Sequence, residues 1–342
     1  MKKSLIALAV LAASGAAMAQ SSVTLYGIAD VWFGGLKADQ EAGNPDRVTK
    51  LDSGGVNTSR WGLKGSEDLG GGLKAVFNFE SAVAVDSGAS NGFSRVSYVG
   101  VSGGFGEVLL GKPWTAIDDI MGASNSGFDS KLSATNGVWV ANNIYAGNPG
   151  NTIKYTTPSF GGVTGAVAYS LDEKANQSTD IVDFAVSYAG GPATANLGYQ
   201  VQKDAGDDLK IMTLNGTYNF GVAKLLASYA KTSAGDFDVK DYQIGVDVPV
   251  SSALTLSAGY AQSKRNNVAA AAIANENATD ADFLDLGIYN GKKNTGYSVA
   301  AAYSLSKRTT VYGGVSTAKG ENAAGADVSK RQLYAVGVNH KF

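Results

Sequence analysis

Apolar and polar residues alternate with a period of two along most of the chain, the pattern of strands with one greasy and one wet face. In 181–188, Val182, Phe184, Val186 and Tyr188 take one face, with Asp183 and Ser187 on the other. In 211–220, Met212, Leu214, Tyr218 and Phe220 oppose Thr213, Asn215, Thr217 and Asn219. Further on, Tyr242, Ile244, Val246, Val248 and Val250 oppose Gln243 and Asp247, and Leu254, Leu256, Ala258 and Tyr260 oppose Thr255, Ser257 and Ser263. Tyr297, Val299, Ala301 and Tyr303 likewise oppose Ser298 and Ser304, and none of these five apolar faces carries a charge.

This alternation predicts sixteen strands, at 22–35, 57–65, 73–85, 92–102, 106–112, 151–157, 162–170, 179–189, 192–203, 209–218, 222–232, 239–249, 253–264, 293–304, 309–318 and 331–342. The number is even, as a closed antiparallel bacterial barrel requires, and many segments approach the ~9–11 residues that cross a bilayer when tilted. Gaps after odd-numbered strands are often long, at 36–56, 113–150, 265–292 and 319–330. Gaps after even-numbered strands are tight: Gly70-Gly71-Gly72, Gly103-Gly104-Phe105, Pro158 to Gly161, Gly190-Gly191, Asn219-Phe220-Gly221 and Leu305 to Arg308. A membrane barrel sorts its connections in this way, whereas a soluble sandwich, which also alternates, has no reason to.

Beyond the first twenty residues the longest purely apolar run, Val268 to Ala274, is too short for a membrane helix. Strands can cross lipid only as a closed barrel, because every backbone N–H and C=O must find a partner and no edge can stay open. The inward positions are small and polar, which predicts a wall around water rather than a packed core. Sixteen strands make a ring wide enough for an aqueous channel.

Composition removes most alternatives. With no Cys and one His in 342 residues, disulfide frameworks, thiolate centres and His-rich metal sites are out of reach. Residues 1–19 read as an export signal: basic Lys2-Lys3, the apolar stretch Leu5 to Ala13, and Ala17-Met18-Ala19 as a small-x-small cleavage site before Gln20. The barrel domain is then 20–342. Taking Lys2 and Lys3 from the 28 Lys+Arg leaves 26 against 30 Asp+Glu, a net charge of −4 that gives no reason to expect nucleic acid as a partner.

Three local motifs invite chemistry and do not carry it. Gly106 to Pro113 imitates a phosphate-binding loop until proline replaces the Ser/Thr that would hold magnesium. Asp280 to Asp285 resembles a calcium loop, but its twelfth position is Gly291 rather than Glu, and a solvated external loop is the better reading. His340 falls on the outward face with Tyr334, Val336, Val338 and Phe342, as an interfacial girdle residue and not a general base. No metal site, cofactor or enzymatic activity is expected.

Several stretches, taken together, resemble the trimeric general porins of Gram-negative outer membranes, in particular their betaproteobacterial branch. They are Ser22 to Asp30 (SVTLYGIAD), Ser59 to Gly70 (SRWGLKGSEDLG), Ser97 to Val101 (SYVGV), Lys154 to Gly162 (KYTTPSFGG) and the ending Val336 to Phe342 (VGVNHKF). The resemblance implies an all-β, sixteen-stranded antiparallel transmembrane barrel with a third loop, here 113–150, folded back to constrict the pore. It also implies a homotrimer set among outer-membrane lipid and lipopolysaccharide, passing ions and small hydrophilic solutes passively. Wall cations matching the family are Arg60 and Arg95, with Lys64 on the side of Arg60 and Lys112 where the family often has arginine; alternation turns Arg60 and Arg95 inward if Trp61, Leu63, Val96 and Tyr98 face lipid. Facing them, loop acids would come from Asp118, Asp119 or Asp129. Two departures are plain: 147–151 lacks the family's third wall arginine, and the loop lacks a Pro-Glu-Phe-Gly type motif. The missing arginine and acidic mature chain lean away from the anion preference common in that branch. A substrate-selective channel with a saturable site is the alternative to general diffusion, and an outer-membrane enzyme or adhesin using the long loops is a third possibility.

Overall fold

The computed structural model describes residues 22–40, 47–173, 179–204, 206–266 and 292–342. The expected export signal 1–19, the apolar run 268–274 and the calcium-like stretch 280–285 lie outside the described residues.

Among the described residues, seventeen strand segments form one antiparallel sheet. In chain order they are β1 (Ser22–Gln40), β2 (Val48–Ser53), β3 (Arg60–Gly70), β4 (Leu73–Ala82), β5 (Val96–Gly103), β6 (Gly106–Lys112), β7 (Thr152–Thr156), β8 (Val163–Ser170) and β9 (Ile181–Gly190). There follow β10 (Ala193–Gln202), β11 (Leu209–Asn219), β12 (Lys224–Ala234), β13 (Phe237–Pro249), β14 (Leu254–Arg265), β15 (Lys293–Ser304), β16 (Thr309–Glu321) and β17 (Asp327–Lys341). From β3 onward each pairs with its neighbour in sequence, and β1 closes the ring on β17 from Ile28↔Lys341 to Gln40↔Ser329. On its other edge β1 meets β3 at Ser22↔Ser66 to Ile28↔Arg60 and then β2 at Val31↔Ser53 to Leu36↔Val48. β2 and β3 are therefore two halves of one stave, and the barrel has sixteen. Phe342 and Gly27 exchange backbone hydrogen bonds at 3.0 and 3.1 Å, so the last residue seals the seam.

In the strands from β9 onward the outward face is the one the alternation assigns. Val182, Phe184, Val186 and Tyr188 are exposed while Asp183 between them is 1% exposed, and Tyr297 and Val299 are exposed while Ser298 is buried. Where strand ends differ from expectation, a physical cause hides the pattern. The expected loop 36–56 is mostly strand, because β1 continues to Gln40 and β2 begins at Val48. Gly34 and Gly35 carry no side chain to alternate; a Cβ on Gly34 would lie 2.0 Å from the Tyr334 carbonyl oxygen. The expected loop 319–330 shrinks to 322–326. Charged residues there look unlike strand, yet they pair on the outer rim: Lys319 with Glu321 at 3.0 Å and with Asp327 at 2.7 Å. Conversely β4 stops at Ala82 and β5 starts at Val96, so 83–95 is a longer connection than the alternation gives. At the opposite end the turns stay short; Gly70, Gly71 and Gly72 all have positive φ, a run only glycine adopts without strain.

The lumen is not wholly wet. Segment 113–151 folds inside the ring with two single helical turns, Asp118–Met121 and Ala141–Ile144, and between them a tight turn at Ser126–Asp129 in which Gly127, Phe128 and Asp129 have positive φ. Ile117, Val138, Trp139 and Ile144 pack against Ile211, Ala230, Val239 and Ala261 of the wall in one buried cluster. The expectation of a wall with no packed core fails on this side of the barrel. Short-range alternation cannot show that a distant loop will cover half of the inward face.

Candidate pore constriction

A loop inside a barrel has backbone groups with no ladder to join, and buried N–H and C=O groups must be satisfied. The inward polar side chains of five staves do this. Asp183 on β9 accepts from the Ile117 N–H at 2.9 Å and Asp241 on β13 from the Ala141 N–H at 2.9 Å. Gln200 on β10 accepts from the Ala146 N–H at 2.7 Å and donates to the Ala146 carbonyl at 3.0 Å, as a neighbouring strand would. Asn215 on β11 donates to the Ile120 carbonyl at 2.8 Å, and Ser257 on β14 accepts from the Gly127 N–H at 2.8 Å.

Across the ring from this docked loop stands a cationic group. Arg60 Nε lies 3.2 Å from Glu80 Oε2 and Arg95 NH1 lies 3.0 Å from Glu80 Oε1. Tyr26 donates its hydroxyl to Glu80 at 2.9 Å and to Asn78 at 2.8 Å, and the Lys64 ammonium sits 4.9 Å from the Tyr26 ring centroid. The Arg95 guanidinium stacks 4.5 Å from the Trp114 ring at the root of the loop. Two guanidiniums on one carboxylate leave one positive charge, with Lys64 adding a second. Directly paired residues share a face, and Glu80↔Val96 and Asn78↔Tyr98 are pairs. Val96, only 2% exposed, and Tyr98 therefore point inward, and Val99 and Val101 take the lipid face. This corrects the expected assignment; Arg95 reaches the lumen because it sits in the bend before β5, where the phase resets.

Lys112 stands apart from this group. It pairs with Ser97, on the side of Leu110 and Val99, and its ammonium donates to the Asn148 carbonyl where the loop returns to the wall. Asn148 in turn donates to the Arg95 carbonyl at 2.6 Å.

On the loop, Asp119 is exposed to the lumen and its Oδ2 bonds the ammonium of Lys154 on β7. Lys154 is a further wall cation, seven residues beyond Gly147, at the start of the stretch Lys154 to Gly162. Asp118 accepts the Tyr145 hydroxyl at 2.7 Å, and Asp129 accepts from Asn125 Nδ2 at 2.7 Å. Enclosure between loop and wall pushes Asp118 up to about 7, helped by the Asp119 charge and opposed by the Tyr145 hydrogen bond and by Arg95. Desolvation raises Asp119 and Asp129 as well, with Lys154 and Asn125 respectively pulling back.

Three residues that matter here, Glu80, Lys154 and Asp30, are absent from the expected site. The first two have a signal in the sequence: Glu80 alternates with outward Phe77 and Phe79, and Lys154 lies between Ile153 and Tyr155. Asp30 has none. Its buried carboxylate accepts the N–H groups of Gly55, Val56 and Asn57, the Tyr312 hydroxyl and Asn339 Nδ2, and so turns the break 54–59 between β2 and β3 into the lumen. There the Gly55 carbonyl accepts the Lys131 N–H at 2.9 Å, which ties the tip of the docked loop to the opposite wall.

A ring of strands, greasy outside, crossed internally by a pinned loop with acids on it and cations opposite, defines an outer-membrane β-barrel channel. The chain belongs to the Gram-negative porin family, which it matches over residues 5–323. It is 36% identical over 368 residues to outer membrane porin protein 32 of Delftia acidovorans, covering 99% of this chain and 95% of that protein. With an outer membrane porin protein of Bordetella pertussis it shares 31% over 392 residues and the full length of both. The solved anion-selective porin from Comamonas acidovorans aligns with a TM-score of 0.77 at 29% identity, over 94% of this chain and 100% of that one. The place of the protein is thus the outer membrane of a Gram-negative cell.

Proposed function

We propose that the protein is a general diffusion pore, passing ions and small hydrophilic solutes down their gradients through the gap between the docked loop and the Arg60–Glu80–Arg95 wall. The carrying observation is the separation of charge across that gap: surplus cations on β3–β5, and Asp118, Asp119 and Asp129 on the loop. Charges on a narrow passage with low-dielectric walls concentrate counter-ions and steer solutes without any bond being made or broken. The pairing of Asp119 with Lys154 and the raised Asp118 leave the loop side less negative than its three acids suggest, which favours a mild preference for anions. The anion-selective relative from Comamonas acidovorans supports the same sign. Export by the signal at 1–19, assembly as a homotrimer and a setting among lipopolysaccharide belong to this reading; the OmpT of Vibrio cholerae, solved in a trimer form, shares the fold at a TM-score of 0.63.

The test is the reversal potential across a planar bilayer under a salt gradient, for the wild type and Arg95→Ala. Loss of that guanidinium should move the potential towards cation preference. Unchanged conductance and selectivity would remove Arg95 from the constriction. A saturable substrate-selective channel would instead show conductance block by one solute at low concentration.

A further inference from the structure

We infer that the cavity between the docked loop and the in-turned break 54–59 is a low-affinity resting site for a neutral, polyhydroxylated solute the size of one sugar ring. This rests on the reading as a diffusion pore and names a solute class for its passage. The cavity has a volume of about 240 Å³, with Gly54, Gly55 and Thr58 of the break on one side and loop residues between Met121 and Tyr145 on the other. Arg60, Glu80 and Arg95 are not among its lining residues, so a solute held there sits beside the charged wall rather than on it. Unmet polar groups decide what fits. Asn136 and Asn142 line the cavity and neither side-chain amide makes a hydrogen bond among the described residues; the buried amide oxygen of each is left without a partner. An amide holds two donors and an acceptor oxygen, and its broad terminal torsion lets either end turn to a ligand. Asp129 is exposed at the same cavity, with its Oδ1 engaged by Asn125 Nδ2 at 2.7 Å and its Oδ2 open.

The backbone is arranged around that carboxylate. Phe128 and Asp129 have left-handed φ values of 64° and 50°, a conformation that non-glycine residues rarely hold and that clusters at functional sites. Gly122 clears the room, since a Cβ there would lie 2.1 Å from Asp129 Oδ2. Two uncommitted amides and an open carboxylate oxygen call for a ligand that donates and accepts at adjacent positions, as neighbouring hydroxyls do. Charge argues against ions at this place. The ammonium at the cavity, Lys131, already lies 3.7 Å from Asp52 Oδ2 and 5.8 Å from the Trp32 ring centroid. Among the described residues no three Asp, Glu, His or Cys gather as ligands for a metal ion. Met121 and Tyr145 give the cavity an apolar side, the Tyr145 hydroxyl being committed to Asp118 at 2.7 Å, and such a side suits the C–H face of a sugar ring.

The experiment titrates glucose against the folded full-length protein in detergent, with saturation-transfer NMR as the readout, and triethylene glycol as a solute of similar size in which ethers replace most hydroxyls. The variants are Asn136→Ala/Asn142→Ala and Asp129→Asn. The wild type should bind glucose with a dissociation constant of about 10 mM, weak enough that passage still follows the gradient. The double variant should bind about tenfold more weakly, the effect of two lost hydrogen bonds, and the ether should show no saturable binding. Asp129→Asn keeps the shape of the site and should bind about threefold more weakly, which reads the same site if the double variant fails to fold. Equal glucose binding by the wild type and the folded variants, equal binding of the ether, displacement of glucose by equimolar glycine, or no saturation of the wild type would overturn the inference. Single-channel conductance without sugar separates the two readings: conductance with no saturable glucose binding removes this site and leaves the pore standing, whereas glucose binding without conductance fells the pore reading itself.

Discussion

Glu80 decides how much of the wall's positive charge a passing ion feels. It is 6% exposed and neutralises one of two guanidiniums. Glu80→Gln keeps the shape and the acceptor for Tyr26 but frees that charge, so the anion-to-cation permeability ratio should rise by about sevenfold, one kT of added potential favouring anions and disfavouring cations by about threefold each. Reversal potentials under a salt gradient read this directly, and a shift towards cations would show that Arg60 and Arg95 do not face the ion path. Asp118 makes the selectivity depend on pH. A carboxyl held at about 7 is neutral below that value and charged above it, so anion preference should strengthen as pH falls from 8 to 6 and weaken on the way back. Asp118→Asn should flatten that dependence and hold the acidic-side selectivity throughout. At this scale the sequence is legible where a motif carries the residue, as for Arg60 in Ser59 to Gly70. Glu80 and Lys154 can be placed on the inward face by alternation, but which groups they pair with, Arg60 and Arg95 for the one and Asp119 for the other, emerges only once the strands and the loop are in place. Val96 and Tyr98 face the opposite way from expectation because a bend at 92–95 resets the alternation, and alternation counted along the chain has no means of seeing a reset.

Among elements, the docked loop and the broken stave set the width of the passage. Trp139 is fully buried in the cluster that fixes 113–151 to the wall. Trp139→Ala should cost about 3–5 kcal/mol of loop docking. The expected outcome is a larger exclusion limit in liposome-swelling assays and new protease cleavage within 113–151, with the barrel's heat-resistant gel mobility kept. A barrel that unfolds as a whole would mean that the loop is part of the cooperative fold. Asp30 holds the break 54–59 with five accepted hydrogen bonds, so Asp30→Ala leaves several donors stranded beside the β1–β17 seam. A loss of about 3 kcal/mol or more follows from the cost of unmet buried donors, measured as a lower temperature of gel-mobility conversion. Strand existence is readable from alternation, including that the third loop is long. The break between β2 and β3 is not, since Gly54 to Ser59 read as ordinary sequence between or within elements, and it is the distant Asp30 that gives the break a defined place.

For the whole molecule, closure, lipid-facing grease and loop sorting all follow from one constraint, that backbone groups in hydrocarbon must pair within the chain. That constraint makes the closed ring legible from the sequence, because without an apolar helix long enough to span, only a closed, alternating set of strands satisfies it, and the count of segments then gives sixteen staves. How much of the interior stays wet is not legible, because the inward polar residues of β9–β14 serve two purposes that look alike in sequence: some face water, and others bond a folded-in loop. The most direct test is single-channel current in a planar bilayer over a wide range of salt concentration, with the folded protein and no added solute. A diffusion pore gives discrete steps whose conductance rises in proportion to the conductivity of the solution, with a reversal potential on the anion side at pH 6. Conductance that saturates at low salt, or no steps at all, would contradict a water-filled passage through this barrel.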